Sequence, residues 1–80
     1  MLDIIYKWSR PVTIMLNDTT QEVTGPSQAR TILLQDWPGE RTNLHKIASD
    51  TCQAAIEGAN PEPSYLAFIE AAIEAGVFVE

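Results

Sequence analysis

The sequence has a single cysteine, a single histidine and no long apolar run. Because Cys52 has no second cysteine to pair with, the chain cannot form an internal disulfide and must fold by ordinary packing, as proteins of the reducing cytosol do. No segment approaches the roughly 20 apolar residues that span a bilayer. Asp3 also stands where a secretory leader carries basic residues. We therefore expect a cytoplasmic protein with no membrane partner.

Positive charge is missing from the C-terminal part of the chain. Residues 1–49 carry five acids and five bases, whereas residues 50–80 carry six acids and no base, which accounts for the net charge of −6. An acidic surface repels a phosphate backbone, so we do not expect nucleic acid as a partner. The acids form either an ordinary solvated surface, which is the simpler interpretation, or a dock for a basic partner.

Eighty residues suit one domain, and proline and glycine divide it into predicted elements. Alternating apolar residues predict a strand over 11–16, and a turn at 17–19 leads to a second strand over 20–23. A first helix is predicted from the N-cap Thr24 to Trp37, a second from Arg41 to Glu57, and a third from the cap Asn60 to Gly76. Residues 77–79 predict a last strand. The predicted fold is α+β, in the order β-β-α-α-α-β, with a small antiparallel sheet (N-terminal hairpin plus short C-terminal strand) packed against three helices.

Helical spacing predicts which faces of the last two helices are apolar. In the second helix the apolar stripe comprises Leu44, Ile47, Ala48, Thr51, Ala54 and Ala55. In the third helix a wide apolar face comprises Tyr65, Leu66, Phe68, Ile69, Ala72, Ile73 and Ala75. Ala67 and Ala71 are expected beside the outward-pointing Glu70 and Glu74, where their small side chains would let another helix approach. Ala67 and Ala71 are therefore candidate interaction residues.

His45 and Cys52 are the residues with the most reactive side chains, and their spacing argues against a shared site. Seven residues rise about 10.5 Å along a helix, whereas a shared zinc lies within about 2.3 Å of each ligand and a nucleophile–base pair within about 3 Å. No Gly-x-Ser-x-Gly motif and no glycine-rich phosphate loop is present. We predict no catalytic, metal-binding or cofactor-binding residues and no cofactor, and we expect Cys52 to pack in the core.

The junction between the first two helices offers a second candidate for contact. Trp37, Arg41 and His45 are expected to form an exposed corner there, suited to binding another protein. Trp37 and Trp8 would otherwise pack in the core. The alternative is a small anionic ligand, or a minor enzyme activity, because Arg41 lies near the free amides at the start of the second helix.

A set of spaced residues runs along nearly the whole chain. It comprises Trp8-x-x-Pro11-Val12-x-Ile14, Ala29-x-x-Ile32-Leu33-x-x-x-Trp37-Pro38, Ala48-x-x-x-Cys52-x-x-Ala55-Ile56-x-Gly58 and Ala67-Phe68-Ile69-x-Ala71-Ala72-x-x-Ala75-Gly76-Val77. In this order and spacing, from about residue 8 to residue 79, the sequence resembles the domain of unknown function 982 family, small proteins mostly from rhizobia and related alphaproteobacteria. The resemblance implies a bacterial stand-alone domain with no known activity and no agreed catalytic residues. It also places Cys52 where that family often has cysteine, in keeping with a packing role.

Together these features favour a non-enzymatic protein-interaction or accessory domain. Its partner would be another protein or a second copy of the chain in a homodimer.

Overall fold

The first two strands form a hairpin closed by a two-residue turn. In a computed structural model, which describes residues 7–79, β1 (Val12–Leu16) pairs antiparallel with β2 (Thr19–Val23). Asn17 and Asp18 form the turn, with φ angles of 51° and 65°. Two successive positive φ angles match the twist of the flanking strands, and Asn and Asp adopt them at low cost. The hairpin is as predicted, with a turn one residue shorter because Thr19 already belongs to β2.

Three helices and one further strand complete the fold. They are α1 (Pro26–Gln35), α2 (Asn43–Ile56), α3 (Glu62–Ala75) and β3 (Phe78–Val79). β3 pairs antiparallel with β1, so the three-stranded sheet has the order β2-β1-β3. Gly76 ends α3 with a φ of 77°, a left-handed conformation that costs little only without a Cβ atom. The predicted α+β fold with the order β-β-α-α-α-β is confirmed.

The helix ends differ from the predictions by one or two residues. Gly25, not Thr24, is the N-cap of α1, and Thr24 instead donates its backbone N–H to Gln28 Oε1 at 3.1 Å. α1 also ends at Gln35 and does not extend to Trp37. Pro61 precedes α3, while the Asn60 Oδ1 atom accepts the backbone N–H of Glu62 at 3.0 Å. Asn60 therefore supports the first turn of α3 from one position further out than expected.

The hydrophobic core joins one face of the sheet to the three helices. Its buried residues are Trp8, Val12, Ile14, Leu16, Val23, Ala29, Ile32, Leu33, Trp37, Ala48, Cys52, Ala67, Phe68, Ala71 and Ala72. On β1 the buried residues alternate with Thr13 and Met15, which point to the other face of the sheet. This alternation is the period-two pattern that predicted the strand.

Both tryptophans pack against the same phenylalanine at the centre of the core. Phe68 is fully buried, with ring centroids 5.6 Å from Trp8 and 5.8 Å from Trp37. Trp8 Nε1 donates a hydrogen bond to Ser64 Oγ at 3.0 Å, and Ser64 Oγ donates in turn to the carbonyl of Pro61. The indole N–H of Trp8 is therefore satisfied inside the protein, as a buried tryptophan requires. Of the two interpretations of the tryptophans, packing in the core is the one that the fold shows.

Candidate interaction surface

The end of α1 is capped by a side chain from the following loop. The last carbonyls of a helix lack partners within the helix, and a cation there also interacts well with the helix dipole. Arg41 donates from Nη1 to the carbonyl of Leu33 at 2.9 Å and from Nη2 to that of Leu34 at 3.1 Å. The Arg41 guanidinium is thus already bound to the end of α1.

His45 donates to one of the same carbonyls. It is only 5% exposed, and its Nε2 atom lies 2.7 Å from the Leu33 oxygen. Because a carbonyl oxygen only accepts, Nε2 carries the proton and donates it. Arg41 Nη1, 3.4 Å from the same Nε2, is then a second donor to the shared oxygen and not a partner of the imidazole. The Nε2 atom of His45 is therefore not free to act as a base or to bind a metal.

The prediction of an exposed corner at this junction is wrong for two of its three residues. Trp37 is 8% exposed and its ring centroid lies 5.9 Å from that of His45, which is also buried. The carbonyls at the end of α1 bind the donors of His45 and Arg41, and the indole of Trp37 fills the space between His45 and Phe68. Arg41 is exposed, but its charge is used within the chain.

A shallow groove of about 270 Å³ lies beside the junction. It is lined by Trp37, Pro38, Gly39, Glu40, Thr42, Glu74 and Ala75. Its charged side chains, Glu40 and Glu74, are both acidic. Thr42, the N-cap of α2, accepts the backbone N–H of His45 and donates its hydroxyl to Glu74 Oε1. A negatively charged groove disfavours the anionic ligand that the position of Arg41 suggests.

Cys52 is fully buried on α2. Burial raises the pKa of its thiol from 9.0 to about 12, while the positive charge of Arg30 acts in the opposite direction with a smaller effect. Only the thiolate is a good nucleophile or metal ligand, so this thiol is inert at neutral pH. Among residues 7–79, no three His, Cys, Asp or Glu side chains lie together in a way that would hold a metal ion.

The buried face of α2 is rotated from the predicted stripe. It consists of His45, Ala48, Cys52 and Ala55, whereas Ile47 is 50% exposed. α2 packs against both α1 and α3. The small side chains of Ala48, Cys52 and Ala55 allow these helices to approach, which the larger Ile47 would prevent.

α3 is also rotated from the prediction, so that small residues join Phe68 on its buried face and two large aliphatic residues lie outside. Ala67 and Ala71 are 9% and 1% exposed, so they are covered within the chain and do not form the outer flank that was expected. Leu66 and Ile73 are instead 54% and 58% exposed. Of the five candidate contact residues, Trp37, Arg41, His45, Ala67 and Ala71, only Arg41 is exposed.

The outer face of α3 comprises Leu66, Ile69 and Ile73 together with Glu62, Glu70 and Glu74. Leu66 and Ile73 lie two turns apart, with the half-buried Ile69 between them. The sequence did contain a signal for this face. Glu62, Leu66, Glu70 and Glu74 are successive i,i+4 neighbours, so Leu66 stands in a row of acids that has to point to solvent.

Among residues 7–79, no salt bridge joins a cation to this face. In the described part of the chain the one salt bridge joins Lys46 to Asp50, both on the exposed surface of α2. The three glutamates of the outer face are exposed, and among the residues that the structure describes only Glu74 has a side-chain hydrogen-bond partner, the uncharged hydroxyl of Thr42. The outer face of α3 therefore places the exposed Leu66 and Ile73 beside glutamates that form no salt bridge within residues 7–79.

A family model described as "Protein of unknown function (DUF982)" matches residues 10–79. The chain belongs to the DUF982 family. The match covers all six elements of the fold, including the α1–α2 junction and the outer face of α3. No curated protein and no solved structure matches this DUF982 chain. Within residues 7–79, no helix combines the length and apolar character needed to cross a membrane.

Proposed function

We propose that this DUF982 domain is a non-enzymatic protein-interaction or accessory domain that binds its partner with the outer face of α3. The observation that carries the proposal is the exposure of Leu66 and Ile73, each more than half accessible on the side of α3 away from the core. Fully burying one such side chain is worth about 1.5–3 kcal/mol. Covering the exposed halves of both would therefore contribute about 1.5–3 kcal/mol to an interface.

The use of the reactive side chains supports binding over catalysis. Arg41 and His45 donate to the end of α1, and Cys52 is sealed in the core with a raised pKa. The acids of the neighbouring groove do not favour an anionic ligand at Arg41. No observation on the folded chain singles out a second function, and thermal-shift measurements with small anions would test the anion alternative directly.

The test compares a double variant of the outer face with a matched control. Leu66→Gln/Ile73→Gln removes both exposed aliphatic side chains of α3, and Ile47→Gln removes a side chain of similar exposure from α2. Each protein is first compared with the wild type by circular dichroism and thermal melting. Association is then measured by sedimentation at increasing concentration and by affinity capture from the native host.

We expect the double variant to lose association and Ile47→Gln to keep it. Self-association would show a homodimer, and a captured protein would show a separate partner. A folded double variant that associates like the wild type would mean that the outer face of α3 is not the binding surface.

A further inference from the structure

The charge on the outer face of α3 restricts what can cover it. Glu62, Glu70 and Glu74 are exposed there, and the chain has no Lys or Arg from residue 47 onwards. Glu40, which lines the neighbouring groove together with Glu74, adds a further negative charge beside this face. A molecule that covers Leu66 and Ile73 therefore comes within a few ångströms of several carboxylates and must neutralise them.

A second copy of the chain is a poor match for this face. A two-fold dimer brings the same patch of both subunits together. With two α3 helices packed at the usual 8–10 Å, the glutamates of one copy would face those of the other, and no cation on α3 could alternate with them. Docking α3 against a different, basic patch of a second copy would be a heterologous contact, which builds rings or open filaments and not a two-fold dimer. Charge thus favours a different protein as the occupant.

Building on the proposed function, we propose that the outer face of α3 binds a basic amphipathic helix of a partner protein. Leu66 and Ile73 are seven residues apart, about 10.5 Å along the helix, which is two turns and matches the spacing of apolar side chains on an amphipathic helix. The apolar stripe of the partner covers Leu66, Ile69 and Ile73. Its Lys and Arg side chains pair with Glu62 and Glu70 and reach Glu74 beside the groove.

The probe is a labelled synthetic helical peptide of leucine and lysine, and binding to the full chain is followed by fluorescence anisotropy. Two peptides of the same pattern serve as comparisons, one with glutamate in place of lysine and one with serine in place of leucine. We expect only the leucine–lysine peptide to bind, with an affinity that falls as salt is added. Glu62→Gln and Glu70→Gln should each weaken binding about two- to fivefold, the value of an exposed ion pair. Glu22→Gln, the same change on the exposed surface of β2, should have no effect.

The outcomes separate the partner class from the binding surface. If Leu66→Gln/Ile73→Gln leaves peptide binding unchanged, the outer face of α3 is not the surface, and the proposed function fails with it. If that variant abolishes binding but the glutamate peptide binds as well as the lysine peptide, the surface is right and the basic partner is wrong. Two other results would overturn the proposal of a basic partner helix. One is that the leucine–lysine peptide does not bind, and the other is that the chain forms a salt-insensitive dimer that the double variant breaks.

Discussion

Arg41 and His45 share one carbonyl acceptor, so their contributions to stability should not be independent. The Leu33 oxygen accepts from Arg41 Nη1 at 2.9 Å and from His45 Nε2 at 2.7 Å. Arg41→Met and His45→Leu each remove a donor while keeping most of the side-chain volume. Either single variant leaves the Leu33 oxygen one partner, whereas the double variant leaves it none.

The magnitudes follow from what each variant leaves unpaired. A hydrogen bond from a charged donor is worth about 1.5–3 kcal/mol. In Arg41→Met the Leu34 carbonyl regains a bond to water and the Leu33 carbonyl keeps its bond to His45. We therefore expect the free energy of unfolding to fall by about 1–2 kcal/mol. His45→Leu should cost a similar amount, about 1–2 kcal/mol, for one hydrogen bond and the ring packing on Trp37. In the double variant the carbonyl of a fully buried residue is orphaned, which adds about 1–3 kcal/mol beyond the sum.

The assay is a double-mutant cycle measured by urea unfolding at one fixed neutral pH, followed by tryptophan fluorescence and circular dichroism. Lys46→Met is the matched control, because Lys46 is an exposed cation on α2 whose ion pair with Asp50 lies in solvent. It should leave stability nearly unchanged. A double variant that loses only the sum of the single losses, or less, would show that the two side chains do not share the Leu33 carbonyl.

Four further predictions concern the core and the end of α3. Ser64→Ala removes the acceptor of the buried Trp8 indole and should cost about 1–3 kcal/mol in urea unfolding, whereas Ser27→Ala on the exposed surface of α1 should cost far less. Gly76→Ala places a Cβ atom at a φ of 77° and should lower stability by about 1–2 kcal/mol; no loss would mean that the helix end readily adopts another conformation. Cys52 should react with iodoacetamide only on unfolding, and rapid labelling of the native protein would contradict its burial. The pKa of Cys52 is about 12 in the folded protein and 9.0 ordinarily, so its thiol stabilises the folded state fully below pH 9. This contribution to the free energy of unfolding should be lost between pH 9 and 12, and Cys52→Ala should not show that loss.

The order of the elements could be predicted because local chemistry determines it. The positive φ angles of Asn17 and Asp18, the alternation along β1 and the left-handed Gly76 are properties of short segments, and a single sequence displays them. The predicted positions of the helix ends were less accurate, because side chains from neighbouring positions compete for the same free backbone groups. Gln28, for example, takes the backbone N–H of Thr24.

The buried faces of α2 and α3 could not be predicted in the same way. α3 carries apolar residues on nearly every side, so its spacing alone does not select the side that faces α2. The capping of α1 by Arg41 is also a tertiary contact, across a loop whose path is not encoded in helical periodicity. The acidic row around Leu66 was the one local signal for the exposed side of α3.

The hydrogen bond between Trp8 and Ser64, together with the burial of Phe68, explains why α3 exposes Leu66 and Ile73. Ser64 must face the core to accept the indole N–H of Trp8, which is itself held between Phe68 and Tyr65. Ala67 and Ala71 follow Ser64 by three and seven residues and so turn inward with it. Leu66 and Ile73 then have to point to solvent, although burying them would have added to the stability of the fold. The packing of Phe68 and the hydrogen bond of Ser64, which orient α3 in the core, therefore also present the proposed binding face.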